Sequence, residues 1–281
     1  MIQEPEQIRE QQKAIWNKFS AGWKKWDEFT MNFLRPMGKA IIEALELKEG
    51  DNVLDIATGT GEPGLTIAGL IGSGKVIGID LSEGMLQIAS ENAYKKGILN
   101  YSTRLCDVTQ LPFENDKFDA ISCRMGFMFF PDMQVAANEI ARVLKKQGRF
   151  ATTVWSGPEK NPWVTAMMRS ISKHVELPLP PAGAPGMFRC AEPGLIRNLL
   201  HAAGLKNIKE IEVDGQLDFT DSEKYWLNMN EIAAPVVNAL SKATKEQREA
   251  IKKDLFDLLS QLSPGGKTVL NFEALVISGE K

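Results

Sequence analysis

Residues 53–64 read Val-Leu-Asp-Ile-Ala-Thr-Gly-Thr-Gly-Glu-Pro-Gly, an apolar run ending in three closely spaced glycines. The pattern predicts a buried strand, Val53 to Ala57, running into a glycine turn and a helix start. Such a turn sets bare backbone and a helix amino terminus against a nucleotide-like ligand. Gly59, Gly61 and Gly64 also satisfy the dinucleotide spacing G-x-G-x-x-G. Three neighbours argue against a diphosphate. Asp55 lies inside the strand, where a dinucleotide site carries an apolar residue, and suits an ammonium group directly or through water. Pro63, in the first helical turn, removes one donor, and Glu62 puts a negative charge where a diphosphate would bind. The segment favours a zwitterionic, cationic ligand, with an NAD(P)-dependent oxidoreductase as the alternative.

The elements that must position these residues follow from Asn52 onward. Strands are predicted at 52–57, 75–80, 101–106, 118–123 and 148–155, with helices near 62–71, 83–96 and 133–145. This alternation signals a parallel sheet with crossover helices. The run 143–148, Val-Leu-Lys-Lys-Gln-Gly, reads as a helix stop with lysines in its last turn. Residues 4–47 are helical in pattern, with Ile8, Ile15, Phe19, Trp23 and Trp26 on one stripe. Regular alternation breaks after Trp155 in a proline-rich stretch (Pro158, Pro162, Pro178, Pro180, Pro181, Pro185) around a helix-like piece, 163–175. Helix 192–203 and strand 207–214 resume the core, then helical residues 221–262 precede a last strand, Thr268 to Ser278. The predicted division is an amino-terminal helical cap (1–47), a ligand-binding core (48–155), a cap insertion (156–190), core again (191–215), a second helical cap insertion (216–265) and a last core strand (266–281).

Composition bounds the function. The chain has 281 residues, 43% hydrophobic and 25% charged, with a formal net charge of −3. That balance is ordinary for a globular protein and argues against a partner held mainly by phosphate contacts. Cys106, Cys123 and Cys190 are too few and too scattered for a disulfide framework or a metal site. The polar, acidic amino terminus lacks the pattern of a signal peptide, and no run reaches the roughly 20 apolar residues of a membrane helix. The expectation is a cytoplasmic protein with reduced thiols and no metal; a homo-oligomer is left open.

Four segments together resemble one family. These are Val53–Gly61, Gly78-Ile-Asp80-Leu-Ser-Glu-Gly-Met85, Cys106-Asp107-Val108 with Leu111-Pro112-Phe113, and Phe118 to Phe130. The combination is similar to the class I S-adenosylmethionine-dependent methyltransferases, and within them to the bacterial UbiE-like, type 11 group, over roughly residues 15–280. The resemblance implies an α/β, Rossmann-like fold: a seven-stranded, mostly parallel sheet with an antiparallel last strand and helical cap insertions. It implies S-adenosyl-L-methionine as cofactor. Asp55, Ala57, Thr58, Gly59, Thr60 and Gly61 would lie against the methionine part and ribose. Asp80 would hold the ribose with Leu81 and Met85 beside it, Cys106, Asp107 and Val108 would form the adenine site, and Cys123 and Arg124 would flank the methionine. Ala57 departs from the family's commonest loop, which has glycine there. Several residues have plainer readings: Asp80 as a helix cap, Asp107 as an Asx turn, Met85 as core, and Arg124 in a structural ion pair.

Methyl transfer from a sulfonium needs alignment and exclusion of water, and a base only where the acceptor must lose a proton. His174, in the first cap segment, is the candidate base; His201 reads as structural. Phe127 and Met128 after the fourth strand, with Trp155 and Trp163, are candidate acceptor contacts, although each could simply pack cap on core. Trp23 and Trp26 could close over the cofactor or pack helices. The expected acceptor is a small, largely apolar or aromatic molecule, methylated at oxygen, carbon or nitrogen. An RNA- or protein-modifying methyltransferase is the alternative of another class.

Overall fold

The computed structural model describes residues 4–177, 181 and 183–281. Pro178 and Pro180 of the expected cap insertion lie outside the described residues. Five segments pair in parallel: β1 (Asn52–Ile56), β2 (Lys75–Asp80), β3 (Tyr101–Leu105), β4 (Phe118–Arg124) and β5 (Leu144–Trp155). β6 (Lys206–Asp218) and β7 (Val269–Glu280) complete a seven-stranded sheet of order β3-β2-β1-β4-β5-β7-β6. β7 runs antiparallel to both its neighbours. The fold is the Rossmann-like arrangement expected, and its strand order reverses between β1 and β4. That reversal opens a crevice outside the strands' carboxyl ends, where α/β sheets take their ligands.

The central strands read as continuous apolar runs because both faces are covered. Val53, Val76, Ala120 and Ala151 share one buried cluster with Ile41, Leu65 and Ile67. Leu54, Ile79, Ile121 and Phe150 belong to the other cluster, which runs on into the later helices. The helices of the crossovers are α3 (Gly64–Leu70), α4 (Glu83–Lys95) and α5 (Met133–Val143); α7 (Leu195–Ala202) precedes β6. Outside this frame lie α1 (Pro5–Lys25) and α2 (Asp27–Leu45), then α6 (Pro162–Ile171), α8 (Ser222–Ile232), α9 (Ala234–Leu240) and α10 (Lys245–Leu262). α1 lies along α4 and α8, and α6 packs on β7, α9 and α10. Among the described residues no helix is long and apolar enough to cross a membrane.

Several boundaries differ from expectation, two of them at the crossover helices α5 and α3. α5 stops at Val143, and Leu144 already pairs with Phe118, so Lys145 and Lys146 belong to the strand. The pairing then jumps to Ala120 with Arg149, and the residues between arch out, with Gln147 at φ +65°. Lys145 spends its charge on Asp119 instead of a helix end. Pro63 precedes α3, which begins at Gly64.

Candidate functional site

Asp55 is the only carboxylate within β1, and it is fully buried. A buried charge needs donors, and three segments supply them. Ser122 Oγ, on the β4 residue in register with Asp55, donates to Oδ1 at 2.6 Å. Thr58 Oγ1 donates to Oδ2 at 2.5 Å, and the Gly64 amide donates to the same oxygen at 3.2 Å. The Tyr101 phenol donates in turn to Thr58 Oγ1 at 2.8 Å. Gly78 makes this reach possible, since a Cβ there would stand 2.2 Å from the Tyr101 hydroxyl. Burial nevertheless pushes the Asp55 carboxyl up to about 6, against the pull of its hydrogen bonds to Ser122 and Thr58 and of the Arg124 charge. Asp55 therefore stands behind the loop as its anchor. Its two oxygens are taken up by Ser122, Thr58 and Gly64; the sequence reading gave it an ammonium group to hold, directly or through water.

The loop above it is bent into unusual backbone. Ala57 has φ +53°, Gly59 +56° and Gly61 +113°. A Cβ on Gly61 would strike Leu65 at 2.6 Å, whereas one on Gly59 would meet nothing within 4 Å. Gly59 thus offers bare backbone to open space, and its amide donates to Asp80 Oδ2 at 3.0 Å. Asp80 Oδ1 accepts from the Ser82 amide at 2.9 Å. Burial raises the Asp80 carboxyl above its ordinary value despite these bonds. Ser82, not Asp80, caps α4, accepting from Met85 N. Glu62 is turned away, held by Lys96 at 2.5 Å and by Thr66.

α1 crosses the ends of these strands as a strap. Arg9 Nε donates to Asp107 Oδ2 at 2.5 Å, and Asp107 Oδ1 accepts from Thr109 N, closing an Asx-type turn. Asn17 accepts from Ser82 Oγ at 2.7 Å and from Gly84 N at 3.1 Å. At the start of α2, Asp27 Oδ1 accepts from Thr60 Oγ1 at 2.9 Å. Each of the three loops that end β1, β2 and β3 is therefore tied to the amino-terminal helices.

Past β4 the surroundings become aromatic. Met125 takes φ +58°, and residues 127–129 form a single 3-10 turn that points Phe127 at Phe130 and Phe150. Phe127 and Met128 are fully buried core residues. Phe129 is the half-exposed member, its ring 5.1 Å from Trp16 of α1, with Trp23 beyond at 6.0 Å. Phe33 of α2 stacks on Trp155 at 5.6 Å and meets Trp163 and Phe272 edge-on at 5.0 and 5.1 Å.

The sequence matches the family described as a methyltransferase domain over residues 47–212, more than half of the chain. The chain belongs to this methyltransferase family. The match agrees with the class I, UbiE-like resemblance of the motifs. It is 25% identical to nocamycin O-methyltransferase of Saccharothrix syringae over 90% of this chain and 94% of that protein. The crystal structure of YcgJ from Bacillus subtilis superposes with a TM-score of 0.59, at 24% identity, over 88% of this chain and 98% of that one. A phosphoethanolamine N-methyltransferase of Haemonchus contortus, solved with S-adenosyl-L-methionine, superposes at 0.51, with 18% identity, over 87% of this chain and 52% of that one. The protein is an S-adenosylmethionine-dependent methyltransferase, and the open backbone at Gly59 between Asp80 and α1 fits a nucleoside cofactor.

The expected site residues of this methyltransferase sort by position. Ala57, Gly59, Asp80 and Leu81 stand half-exposed around the crevice, as do Cys106, Asp107 and Arg124. Thr58 and Thr60 are buried in the loop's own bonds, and Val108 lies just beneath. Met85 and Cys123 are core, and burial pushes the Cys123 thiol up to about 12. Trp155 and Trp163 are buried in the aromatic cluster. His174 is not at the crevice: its Nε2 pairs with Asp254 Oδ2 of α10 at 2.9 Å, and its carbonyl accepts from Gln247. It ties the segment after α6 to α10. Trp26 likewise packs helices, donating to Glu231 of α8 at 2.6 Å. Among the described residues no group of His, Cys, Asp or Glu is arranged to hold a metal. A surface cleft of about 780 Å³ lined by Glu46, Arg149 and Glu280 opens at the amino ends of the strands, opposite the glycine loop. Sequence reasoning missed Arg9, Trp16, Asn17 and Asp27 of the strap, which carry no motif. Ser122 had a signal, being the one hydroxyl among apolar neighbours in β4 beside a strand with a buried acid.

Proposed function

We propose that this methyltransferase acts on a small, largely apolar or aromatic acceptor, and that the atom methylated is oxygen. The observation that carries this reading is the pair of ring clusters past β4, Trp16, Trp23 and Phe129 in one and Phe33, Trp155 and Trp163 in the other. Rings of this kind favour a flat apolar ligand and exclude water from its neighbourhood. The likeness to a nocamycin O-methyltransferase, spanning nine-tenths of the chain, supports oxygen.

The bound cofactor supplies an activated methyl group on sulfur. The chain's part is to bind and align. The Ala57–Gly61 backbone would cradle the methionine and ribose portion, Asp80 would accept from the ribose hydroxyls, and Asp107, paired with Arg9, would accept from the adenine amine. Alignment in a dry site contributes by proximity. An acceptor already acidic, such as a phenol or enol, would need the least help from a base.

The test is incubation of the protein and S-adenosylmethionine with a panel of phenols, quinols, enols and amines, read by mass spectrometry. A gain of one methylene on a phenol or enol is expected. Transfer to tRNA or protein with none to the panel would overturn the reading.

A further inference from the structure

Five buried side-chain polar atoms have no hydrogen-bond partner among the described residues, and three of them gather at one joint. They are Trp23 Nε1 near the end of α1, Thr30 Oγ1 in the first turn of α2 and Asn228 Nδ2 in the middle of α8. The joint is the meeting of Trp26 with Glu231. The indole donates to Glu231 Oε2 at 2.6 Å and Lys25 pairs with Oε1 at 2.7 Å. Gly22 lets the helices touch, since a Cβ there would lie 2.3 Å from the Glu231 carbonyl oxygen. Helical bonds run on through Trp26, whose amide donates to Gly22 and whose carbonyl accepts from Thr30. Trp23 stands three residues before Trp26, Thr30 four residues after it, and Asn228 three residues before Glu231. Residues at these spacings are neighbours on a helix, so each unpaired atom belongs to a side chain one turn from the same bond.

Thr30 and Asn228 are 2% and 1% exposed, and burying a polar group without a partner is costly. Packing alone does not explain them, because valine and leucine would fill about the same space without that cost. Their neighbours give their direction. Asn228 lies on α8 between Glu231, which meets α1, and Tyr225, whose hydroxyl donates to the Trp163 carbonyl at 2.8 Å. Thr30 lies on α2 between Asp27, bonded to Thr60 of the glycine loop, and Phe33, stacked on Trp155. Trp23 meets Trp16, which in turn meets Phe129 of the turn after β4. The three groups thus sit among the rings on which the acceptor reading rests. An indole N–H and an amide NH₂ can only donate, and a hydroxyl can donate as well. None of the three is charged, so they match a neutral oxygen; an ionised one would be a buried charge without a cation.

We infer that Trp23, Thr30 and Asn228 select the methyl acceptor by donating to a carbonyl oxygen on its ring system. This rests on the small-molecule reading above and narrows it to flat ring compounds that carry a carbonyl apart from the atom methylated. The three residues bind and orient; they take no proton.

The test compares 7-hydroxycoumarin with 2-naphthol, two flat phenols of the same two-ring frame, of which only the first has a carbonyl. Each is titrated by calorimetry into the S-adenosylhomocysteine complex and then turned over with S-adenosylmethionine. Wild type is expected to bind 7-hydroxycoumarin at least about ten-fold more tightly than 2-naphthol. In Asn228→Leu that preference falls below about two-fold, and the loss appears in KM for the coumarin and not in kcat. Trp23→Phe loses part of the preference. Asn228→Leu also melts no lower than wild type, since the amide that it removes bonds to nothing in the fold, and this readout needs no acceptor. A melting temperature lowered by more than about 4 °C would make Asn228 a structural group and overturn the inference. Equal binding of the two phenols by wild type, or binding of neither, overturns it too, while methyl transfer to any other phenol or enol keeps the small-molecule reading intact. Retention of the full preference by Asn228→Leu has the same meaning. Transfer to tRNA or protein with none to any phenol or enol removes the small-molecule reading and the inference with it.

Discussion

At the carboxyl ends of β1, β2 and β3 each acid has partners at hydrogen-bond distance: Asp55 with Ser122 and Thr58, Asp80 with Gly59 and Ser82, Asp107 with Arg9 and Thr109. Across β4 and β5 the same strand ends meet rings, with Phe33, Trp155, Trp163 and Phe272 in one cluster. The first half is directional, so each group has one geometry and one substitution that breaks it. The second half depends on area and shape, which many sets of side chains satisfy. A fixed cofactor and a variable acceptor call for such a division: the polar half suits a ligand common to many enzymes, and the aromatic half is free to be refitted.

The largest effect should come from opening the aromatic half. Trp163 is 6% exposed, donates Nε1 to Asn161 Oδ1 at 3.1 Å, and touches both Phe33 and Trp155. Trp163→Ala is expected to cost about 4 kcal/mol of stability in urea unfolding. If the two halves are held independently, the folded variant keeps wild-type affinity for S-adenosylmethionine by calorimetry. Loss of that affinity would show them to be one unit.

Asp55→Asn strikes the polar half at its anchor. One of the donors from Ser122, Thr58 and Gly64 then faces an amide N–H, at a cost of about 2–3 kcal/mol. The effect is pH-dependent. The folded carboxyl stands at about 6, above its ordinary 3.8, so the folded chain holds this proton more tightly than the unfolded one. The contribution to stability is complete below about pH 4 and is lost as pH rises through about 6. The stability of wild type minus that of Asp55→Asn should therefore fall between pH 4 and 7, by at most about 3 kcal/mol. A difference that rises with pH would mean that the hydrogen bonds outweigh burial.

Asp80→Ala addresses the ligand directly. Cofactor affinity should drop by about 1–3 kcal/mol, the worth of a charge-assisted bond, with little change in acceptor affinity. Unchanged affinity would remove Asp80 from the site.

How far the sequence disclosed these two halves follows the same divide. β1 to β4, the glycine loop and Asp80 were legible because buried parallel strands and a turn with positive φ leave local signatures. Asp55 was visible as an anomaly, but its partners were not, since Ser122 and Tyr101 reach it only through strand register and the room left by Gly78. Arg9 finds Asp107 across 98 residues of sequence, and no local pattern encodes that. In the aromatic half the composition was legible and the facing was not. The 3-10 turn at 127–129 buries Phe127 and Met128 and leaves Phe129 for Trp16, a choice made by one turn of backbone. His174 meets Asp254 because α10, far along the chain, packs on α6.

Ala57 gives the smallest effect and the finest probe of the polar half. At φ +53° its Cβ is in the left-handed region, where a non-glycine residue is disfavoured by about 1 kcal/mol. Glycine at this position, as in the family's commonest loop, would remove that strain. It would also give the unfolded chain more freedom, which offsets about 0.4–1 kcal/mol. The two nearly cancel, so Ala57→Gly should shift unfolding free energy by less than about 0.5 kcal/mol, toward greater stability. The larger consequence is local. The Cβ of Ala57 lies so close to Gly126 that a Cβ there would come within 2.8 Å of it, and this methyl couples the glycine loop to the turn that carries Phe129. Without it, amide hydrogen exchange at 58–61 should accelerate while exchange in β1 stays unchanged. A clear loss of stability would mean that this methyl contact, and not the strain, decides the residue at position 57, and that the two halves of the molecule are joined there.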